Sequence, residues 1–359
     1  MKILFYINVL HNGGAERVIS ILANYFNKKG YQVVVVNSYP VENEYYLDKE
    51  IRHIYLNQSR VKGSFLARNI RQIIILRKII KEFNPAFSIS FMAEPNFRNI
   101  IATIGLKTKT ILSVRNDPAR EYYNFLLQYL SKFLFRLSDG IVFQTNDAMR
   151  FFSNKIHLKS KVIFNPVNDI FFTENEVINV IKSNKIISVG RLESQKNFEL
   201  LINAFSKICN SSNLLLYIYG EGSERSKLQK LIDSLNLSNR VFLLGNVKDI
   251  VHCLKDARLF VLSSNYEGMP NALMEAITLG IPCISTDCPC GGPRELLDKR
   301  FLVPIDDVDS LSKIMEDVTS NEILLQNMSS SNKIKSRTFK IDYIGQEWIE
   351  FMNEILKRE

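Results

Sequence analysis

The sequence predicts an α/β protein built from two Rossmann-like domains, each with a parallel sheet, facing across a cleft. Three observations lead there. Short apolar runs alternate with helical patterns along the chain. The runs are unbroken aliphatic blocks, as strands covered on both faces require, and not polar–apolar alternations. The alternation also breaks once near the middle and restarts, and each half of a 359-residue chain is long enough to bury a core of its own.

In chain order, the first strand is ILFYI from Ile3, followed by a helix over Ala15–Lys28 and the strand QVVVVN from Gln32. AFSISF from Ala86, KTILSV from Lys109 and GIVFQT from Gly140 complete the first series, with a helix over Ala119–Leu137 before the last. The break falls in VIFNPVNDIFF, Val162–Phe172, where Asn-Pro interrupts the pattern, and the aperiodic stretch Thr173–Asn184 follows. The second series has strands KIISVG from Lys185, LLLYIYG from Leu214, VFLLG from Val241, LFVLSS from Leu259 and PCIST from Pro282. Its helices begin near Asn197, Glu224, Lys248 and Pro270. The expected division is residues 1–165, residues 166–340, and a last helix within 341–359 that crosses back onto the first domain.

Several classes are disfavoured. No apolar run reaches the roughly 18 residues of a membrane span. The opening MKILFYINVL lacks a small-residue cleavage site and reads as a strand, not a secretory signal. Five cysteines without framework spacing suggest a reducing, cytoplasmic setting. Cys288 and Cys290 stand closer than usual zinc pairs and have no second pair, so no metal is expected.

The net charge of +9 is uneven. Residues 1–165 hold 24 Lys+Arg against 11 Asp+Glu, or +13; the remainder hold 22 against 26, or −4. An anionic partner for the first half is expected. The densest stretch, Arg52 to Lys81, has eight basic residues and no acid. Leu66, Ile70, Ile73, Ile74 and Ile80 recur there at helical spacing beside Arg68, Arg71, Arg77, Lys78 and Lys81. Such a helix suits an anionic membrane surface, or a core-packed helix with a solvated basic face.

Three strand-to-helix junctions favour an anion. Gly13 and Gly14 follow the first strand and precede a helix, where backbone N–H groups point outward. Arg191 follows KIISV directly, and Lys196 stands just before a helix, so two cations share one loop that can clamp a diphosphate. In NYEGMPNALMEA, Glu267 lies at a helix mouth and Pro270 suits the first helical position. Glu275, five residues on, is roughly 7–8 Å further along the axis. A nucleotide-sugar along this helix would offer hydroxyls to both carboxylates, with its diphosphate at the helix amides between them.

GGAERV, VGRLESQKN, YGEGSER, VFLLGNVKD and SNYEGMPNALMEAITLGIPCISTDCPCGGPREL, in this order, resemble the retaining glycosyltransferases of family 4 from Gly13 to about Leu297. The resemblance implies the GT-B fold, a metal-independent reaction and no cofactor beyond the nucleotide-sugar co-substrate. EGMPNALMEA and CPCGGPREL are most similar to bacterial enzymes that build surface polysaccharides, such as O-antigen or capsule, or lipid-linked oligosaccharides from UDP-sugars. It implies an acceptor-binding first domain and a nucleotide-sugar-binding second domain. Arg191 and Lys196 would bind the donor diphosphate, Glu267 the donor sugar and Glu275 the ribose. Amides of Gly268, Met269 and Asn271 would meet sugar and phosphate, Gly13 and Gly14 would contact phosphate from the other domain, and backbone near Asn246 and Val247 would hold the uracil edge. Many members carry a His after the strand that is KTILSV here; Arg115, Asn116 and Asp117 stand in its place. Either one of them takes over substrate contact or the role is absent.

The expected reaction moves a hexose or N-acetylhexosamine from a UDP-sugar to a hydroxyl of a lipid-linked saccharide at the inner membrane face, with retention. Arg68, Arg71, Lys78 and Lys81 would face that membrane. Two rivals stand beside it. One is a non-catalytic nucleotide-sugar-binding protein of the same fold. The other, a nucleic-acid-binding protein, is disfavoured because the basic stretch has no interleaved aromatic platform and no known recognition pattern.

Overall fold

A computed structural model describes residues 1–11, 13–59, 64–172, 180–209 and 212–358, with Phe65 described for its backbone alone. Part of the aperiodic stretch (173–179) and part of the basic stretch (60–63) lie outside the described residues. The chain forms two compact units: Met1–Pro166 with Ile341–Glu359, and Val167–Lys340.

The first unit opens β1 (Lys2–Ile7), α1 (Gly14–Lys28), β2 (Gln32–Asn37), β3 (Arg52–Tyr55), α2 (Phe65–Phe83), β4 (Phe87–Phe91) and α3 (Ala93–Thr103). It continues β5 (Lys109–Ser113), α4 (Pro118–Glu121), α5 (Phe125–Leu134), β6 (Gly140–Phe143), α6 (Asn146–Arg150), α7 (Asn154–His157) and β7 (Ser160–Val162). The seven strands pair in parallel in the order β3-β2-β1-β4-β5-β6-β7. The two-residue period of β1 separates two cores. Ile3, Phe5 and Ile7 pack with Val18, Leu22 and Phe26 of α1, whereas Leu4 and Tyr6 pack with Leu76 and Ile80 of α2 and Ala102 of α3.

Two helix expectations change. The single helix over Ala119–Leu137 is interrupted: Tyr122 leaves helical geometry at φ −107°, ψ 59°, and Asn124 reopens the chain as α5 by accepting from the N–H of Leu127. On α2, Leu66, Ile70 and Ile74 do not share the buried face with Ile80. They are exposed, and Gln72, Leu76 and Ile80 face the sheet. Positions 74 and 80 lie about 120° apart on the wheel, so α2 is apolar on two sides.

The second unit runs β8 (Lys185–Val189), α8 (Phe198–Ile208), β9 (Leu215–Tyr219), α9 (Arg225–Ser234), β10 (Val241–Gly245), α10 (Ile250–Lys255), β11 (Ala257–Leu262) and α11 (Asn271–Leu279). It ends β12 (Cys283–Thr286), α12 (Gly292–Leu296), β13 (Leu302–Val303), α13 (Val308–Ser320) and α14 (Glu322–Ser336). Its six strands pair in parallel as β10-β9-β8-β11-β12-β13. Pro270 caps α11 in extended geometry (φ −76°, ψ 100°) and is not its first helical residue. Its missing N–H costs nothing at either place.

The last helix, α15 (Ile341–Leu356), belongs to the first unit and lies against α1. A Cβ on Gly345 would sit 2.1 Å from the Tyr25 ring, so glycine lets the helices close. Trp348, the chain's one tryptophan, is wholly buried and stacks on Phe91 at 6.2 Å. Among the described residues no helix is long and apolar enough to cross a membrane, and no group of three or more His, Cys, Asp and Glu side chains could hold a metal ion.

Candidate active site

In the second unit, the carboxyl ends of β8 and β11 bring Lys196 and Glu267 together. Arg191 leaves β8 exposed, its Nη2 donating to Gln195 Oε1 at 3.3 Å. Four residues past Leu192 the Lys196 ammonium turns inward and donates to Glu267 Oε1 at 2.5 Å. Ser264 Oγ donates to the same oxygen at 2.7 Å. Both ion-pair side chains are largely buried.

The two loops are joined along their length. The Asn265 N–H donates to the Gln195 carbonyl at 2.8 Å, Gln195 Nε2 to the Tyr266 carbonyl at 3.1 Å, and Asn265 Nδ2 to the Ser194 carbonyl at 2.8 Å. Asn197, at φ +46°, accepts from the N–H of Leu200 to cap α8 and also donates to Asn265 Oδ1.

Glycines allow two further loops to close on this pair. A Cβ on Gly220 (φ +137°) would stand 1.9 Å from the Gly190 carbonyl oxygen, and one on Gly222 2.3 Å from that of Leu192. The YGEG turn therefore lies backbone to backbone on the loop bearing Arg191. On the other side, a Cβ on Gly292 would meet the Gly268 carbonyl oxygen at 1.8 Å, and the Glu267 N–H donates to the Pro289 carbonyl at 3.4 Å. Burial and the nearby Glu267 charge push the Cys288 thiol up to about 12. It stays protonated and is no nucleophile.

Glu267, Gly268 and Met269 are buried ahead of α11, Asn271 opens the helix half-buried, and Glu275 is buried in its second turn. Pro270 gives α11 no side-chain cap, and the helix follows directly on the loop that carries Glu267. Asn246 and Val247 are exposed just past β10, where Gly245 (φ +72°) turns the chain and its carbonyl accepts from the Gly220 N–H at 2.8 Å.

In the first unit, Gly13 caps α1 and Gly14 is its first residue. A Cβ on Gly13 would fall 1.8 Å from a carboxylate oxygen of Glu16, so Glu16 folds back over the start of its own helix. Burial raises its pKa. The anion-binding mouth read from the glycines thus already holds the chain's own carboxyl.

Arg115, Asn116 and Asp117 follow β5. The Arg115 guanidinium lies 3.8 Å over the Phe91 ring and donates from Nη1 to Asn165 Oδ1 at 2.6 Å. Its Nε and Nη2 are buried without a partner among the described residues, and burial lowers its pKa to about 9. Asp117 is buried and caps α4 through the N–H of Ala119 at 2.9 Å. Both side chains are thus enclosed within the unit, and Asn116 is the most open of the three. On α2, Arg71, Lys78 and Lys81 are exposed and Arg68 half-buried; Lys78 lies 3.8 Å from Glu82.

Ser264, Glu16 and Glu121 were not singled out from sequence. Ser264 directly precedes the Asn-Tyr-Glu turn, which is the one local signal for it. Glu121 Oε1 accepts from the Ala93 N–H at the start of α3 at 2.8 Å, and burial raises its pKa to about 7.

Residues 12–170 match the family model described as Glycosyltransferase Family 4, and residues 172–335 that described as Glycosyl transferases group 1. An uncharacterized glycosyltransferase of Methanocaldococcus jannaschii is 32% identical over 274 residues, 70% of this chain and 67% of that one. A GalNAc-alpha-(1->4)-GalNAc-alpha-(1->3)-diNAcBac-PP-undecaprenol alpha-1,4-N-acetyl-D-galactosaminyltransferase of Campylobacter jejuni is 28% identical over 371 residues, 99% of each chain. HepE of Anabaena, solved in complex with UDP, superposes with a TM-score of 0.83 at 17% identity over 99% of this chain and 100% of its own. At that identity the likeness is one of fold, the two-sheet GT-B architecture.

Proposed function

The chain belongs to the family 4, group 1 glycosyltransferases, and from that premise we propose that it moves a sugar from a UDP-hexose or UDP-N-acetylhexosamine to a hydroxyl of a lipid-linked glycan. The setting proposed is bacterial cell-surface polysaccharide biosynthesis, at the inner face of the cytoplasmic membrane. The Campylobacter jejuni relative, matched end to end, is named for an undecaprenol-diphosphate acceptor, which supports the acceptor class.

The observation that carries the reading is the contact of Lys196 with Glu267 ahead of α11. A cation suited to a diphosphate and a carboxylate suited to a sugar hydroxyl meet there, in the loop that leads into α11. Arg191 and Lys196 would hold the diphosphate, and Glu267 would accept from a sugar hydroxyl. Glu275 would take the ribose, the amides of Gly268, Met269 and Asn271 would meet the phosphate and sugar, and Asn246 and Val247 the uracil edge. At the start of α1, a phosphate meeting Gly13 and Gly14 would displace the Glu16 carboxyl.

The role proposed for Glu267 supports retention without a covalent intermediate. A double displacement needs a carboxylate on the anomeric face, about 5 Å from its partner acid. Glu267 grips a hydroxyl instead, so the leaving diphosphate takes the acceptor proton during attack on the same face. Arg191 and Lys196 stabilise the charge on that group, and no metal or further cofactor is required.

The test is purified protein with a panel of UDP- and GDP-sugars and an undecaprenol-diphosphate-linked saccharide, with EDTA present. The expected result is UDP release and a product of unchanged anomeric configuration. Nucleotide binding without turnover on any acceptor would favour a sensor, and an EDTA-sensitive rate would end the metal-free mechanism.

A further inference from the structure

Six of the fifteen residues from Tyr123 to Leu137 are large, apolar and more than half exposed: Tyr123, Phe125, Leu126, Tyr129, Phe133 and Leu137, with Phe125 at 84%. Phe125, Tyr129 and Phe133 recur every fourth residue and form one stripe along α5. The opposite side of α5, with Leu127, Leu130, Ser131 and Leu134, is turned inward. Both ends are anchored: Tyr122 and Phe135 are wholly buried, 5.9 Å apart edge to face, and each packs on Phe97 of α3 at 6.0 Å. The stripe is therefore held rigidly outward, and an apolar face of this kind marks an interaction surface.

Charge identifies the occupant. Residues 64–137, which span α2 to α5, hold 12 Lys+Arg against 4 Asp+Glu, or +8. Arg136 is exposed and Lys132 half-exposed beside the stripe. Right-handed crossovers set α2, α3 and α5 on one face of the sheet, and α3 touches both of the others. α2 has the same composition, with Leu66, Ile70 and Ile74 exposed among Arg71, Lys78 and Lys81, and Ile101 and Ile104 of the α3 end are exposed too. Aromatic and aliphatic tips ringed by cations suit the headgroup–acyl boundary of an anionic bilayer. A second copy would set one basic face against another. The starts of α2 and α5 also open at the strands' carboxyl ends, where open α/β sheets receive ligands.

We propose that the α5 stripe, continued by the outer side of α2, docks on an anionic bilayer and inserts Phe125, Leu126, Tyr129 and Phe133 among its lipids. This deepens the lipid-linked acceptor reading, on which its purpose rests, by naming the surface that meets the lipid.

The experiment uses the full chain with vesicles of phosphatidylglycerol and phosphatidylcholine in equal parts, against phosphatidylcholine alone. Wild type should sediment with the anionic vesicles. The Phe125→Ser, Tyr129→Ser, Phe133→Ser triple variant should lose at least about tenfold in affinity, since three rings no longer leave water for lipid. Its transfer to a water-soluble acceptor should be unchanged. Phe125→Trp gives a second readout that leaves the fold alone, because the one native tryptophan is wholly buried. Its emission should shift blue on anionic vesicles and be quenched by brominated lipid. Wild type that ignores anionic vesicles, a triple variant that binds as wild type, or an emission from the Phe125→Trp variant that does not move would each overturn the proposal. So would a wild-type dimer that the triple variant dissolves, which would assign the face to a second copy. Intact vesicle binding with no transfer to any acceptor would instead end the acceptor reading and leave the docking surface standing.

Discussion

The Lys196 ammonium and the Glu267 carboxylate stand 2.5 Å apart, 71 residues distant in sequence and both largely shielded from water. Each neutralises the other. Under the proposed donor reading, a diphosphate arriving at Lys196 would compete with Glu267 for the cation and release the carboxylate toward a sugar hydroxyl, which would couple the two halves of donor recognition.

Lys196→Ala should lower kcat by about 10²–10³ at saturating donor, the range for loss of one charge-stabilising group. It should also destabilise the second unit by about 3 kcal/mol, because Glu267 is left buried with Ser264 alone. Steady-state rates and a denaturant titration check both. A wild-type rate would rule Lys196 out of leaving-group support.

Ser264→Ala removes the second hydrogen bond to Glu267 Oε1 without touching the ion pair. A hydrogen bond to a charged group contributes about 1.5–3 kcal/mol. The expected result is a donor KM raised about tenfold or more, with kcat changed less. Equal KM values in both proteins would mean that Ser264 does not hold Glu267 for the sugar.

Gly222→Ala places a methyl 2.3 Å from the backbone oxygen of Leu192, which cannot yield as a side-chain tip would. The YGEG turn should lift from the Arg191 loop, with loss of UDP-induced thermal stabilisation and a lower melting temperature. Gly13→Ala is the contrast. Its methyl meets only the mobile end of Glu16, so stability should change little. Similar melting losses in the two variants would contradict this distinction.

Central strands were legible because both of their faces are covered. QVVVVN, inside the first sheet, was bounded to the residue, and so was VFLLG, an edge strand that keeps its aliphatic run, whereas β3 (RHIY), β7 (SKV) and β13 (LV) went unread. Those three lie at sheet edges, where one side is open and no long aliphatic run is needed. The exposed side of α2 and the break at Tyr122 depend on which neighbour a helix meets, and local spacing carries no record of that. The site divides in the same way. Arg191, Lys196, Glu267 and Glu275 stand out from strand ends and helix starts, but the Lys196–Glu267 contact, the fold-back of Glu16 and the burial of Arg115 are tertiary facts.

Glu121 makes the first unit's stability depend on pH in an unusual sense for a carboxyl. Its Oε1 caps α3 through Ala93, while its Oε2 is enclosed with no partner among the described residues. Burial raises the folded pKa from 4.5 to about 7. Between these values the folded chain keeps a proton that the unfolded chain has released, so stability falls as pH rises through that window and levels off above it. The loss is on the order of 3 kcal/mol at most. Glu121→Gln keeps the carbonyl that accepts from Ala93 and abolishes the titration. Trp348, buried in the first unit, reports its unfolding by fluorescence. Wild type should show a denaturant midpoint that drops from about pH 5 to about pH 8, and the variant a flatter one that overtakes wild type at the upper end. Parallel profiles for the two proteins would show that Glu121 ionises freely in the folded state and that its enclosure carries no cost.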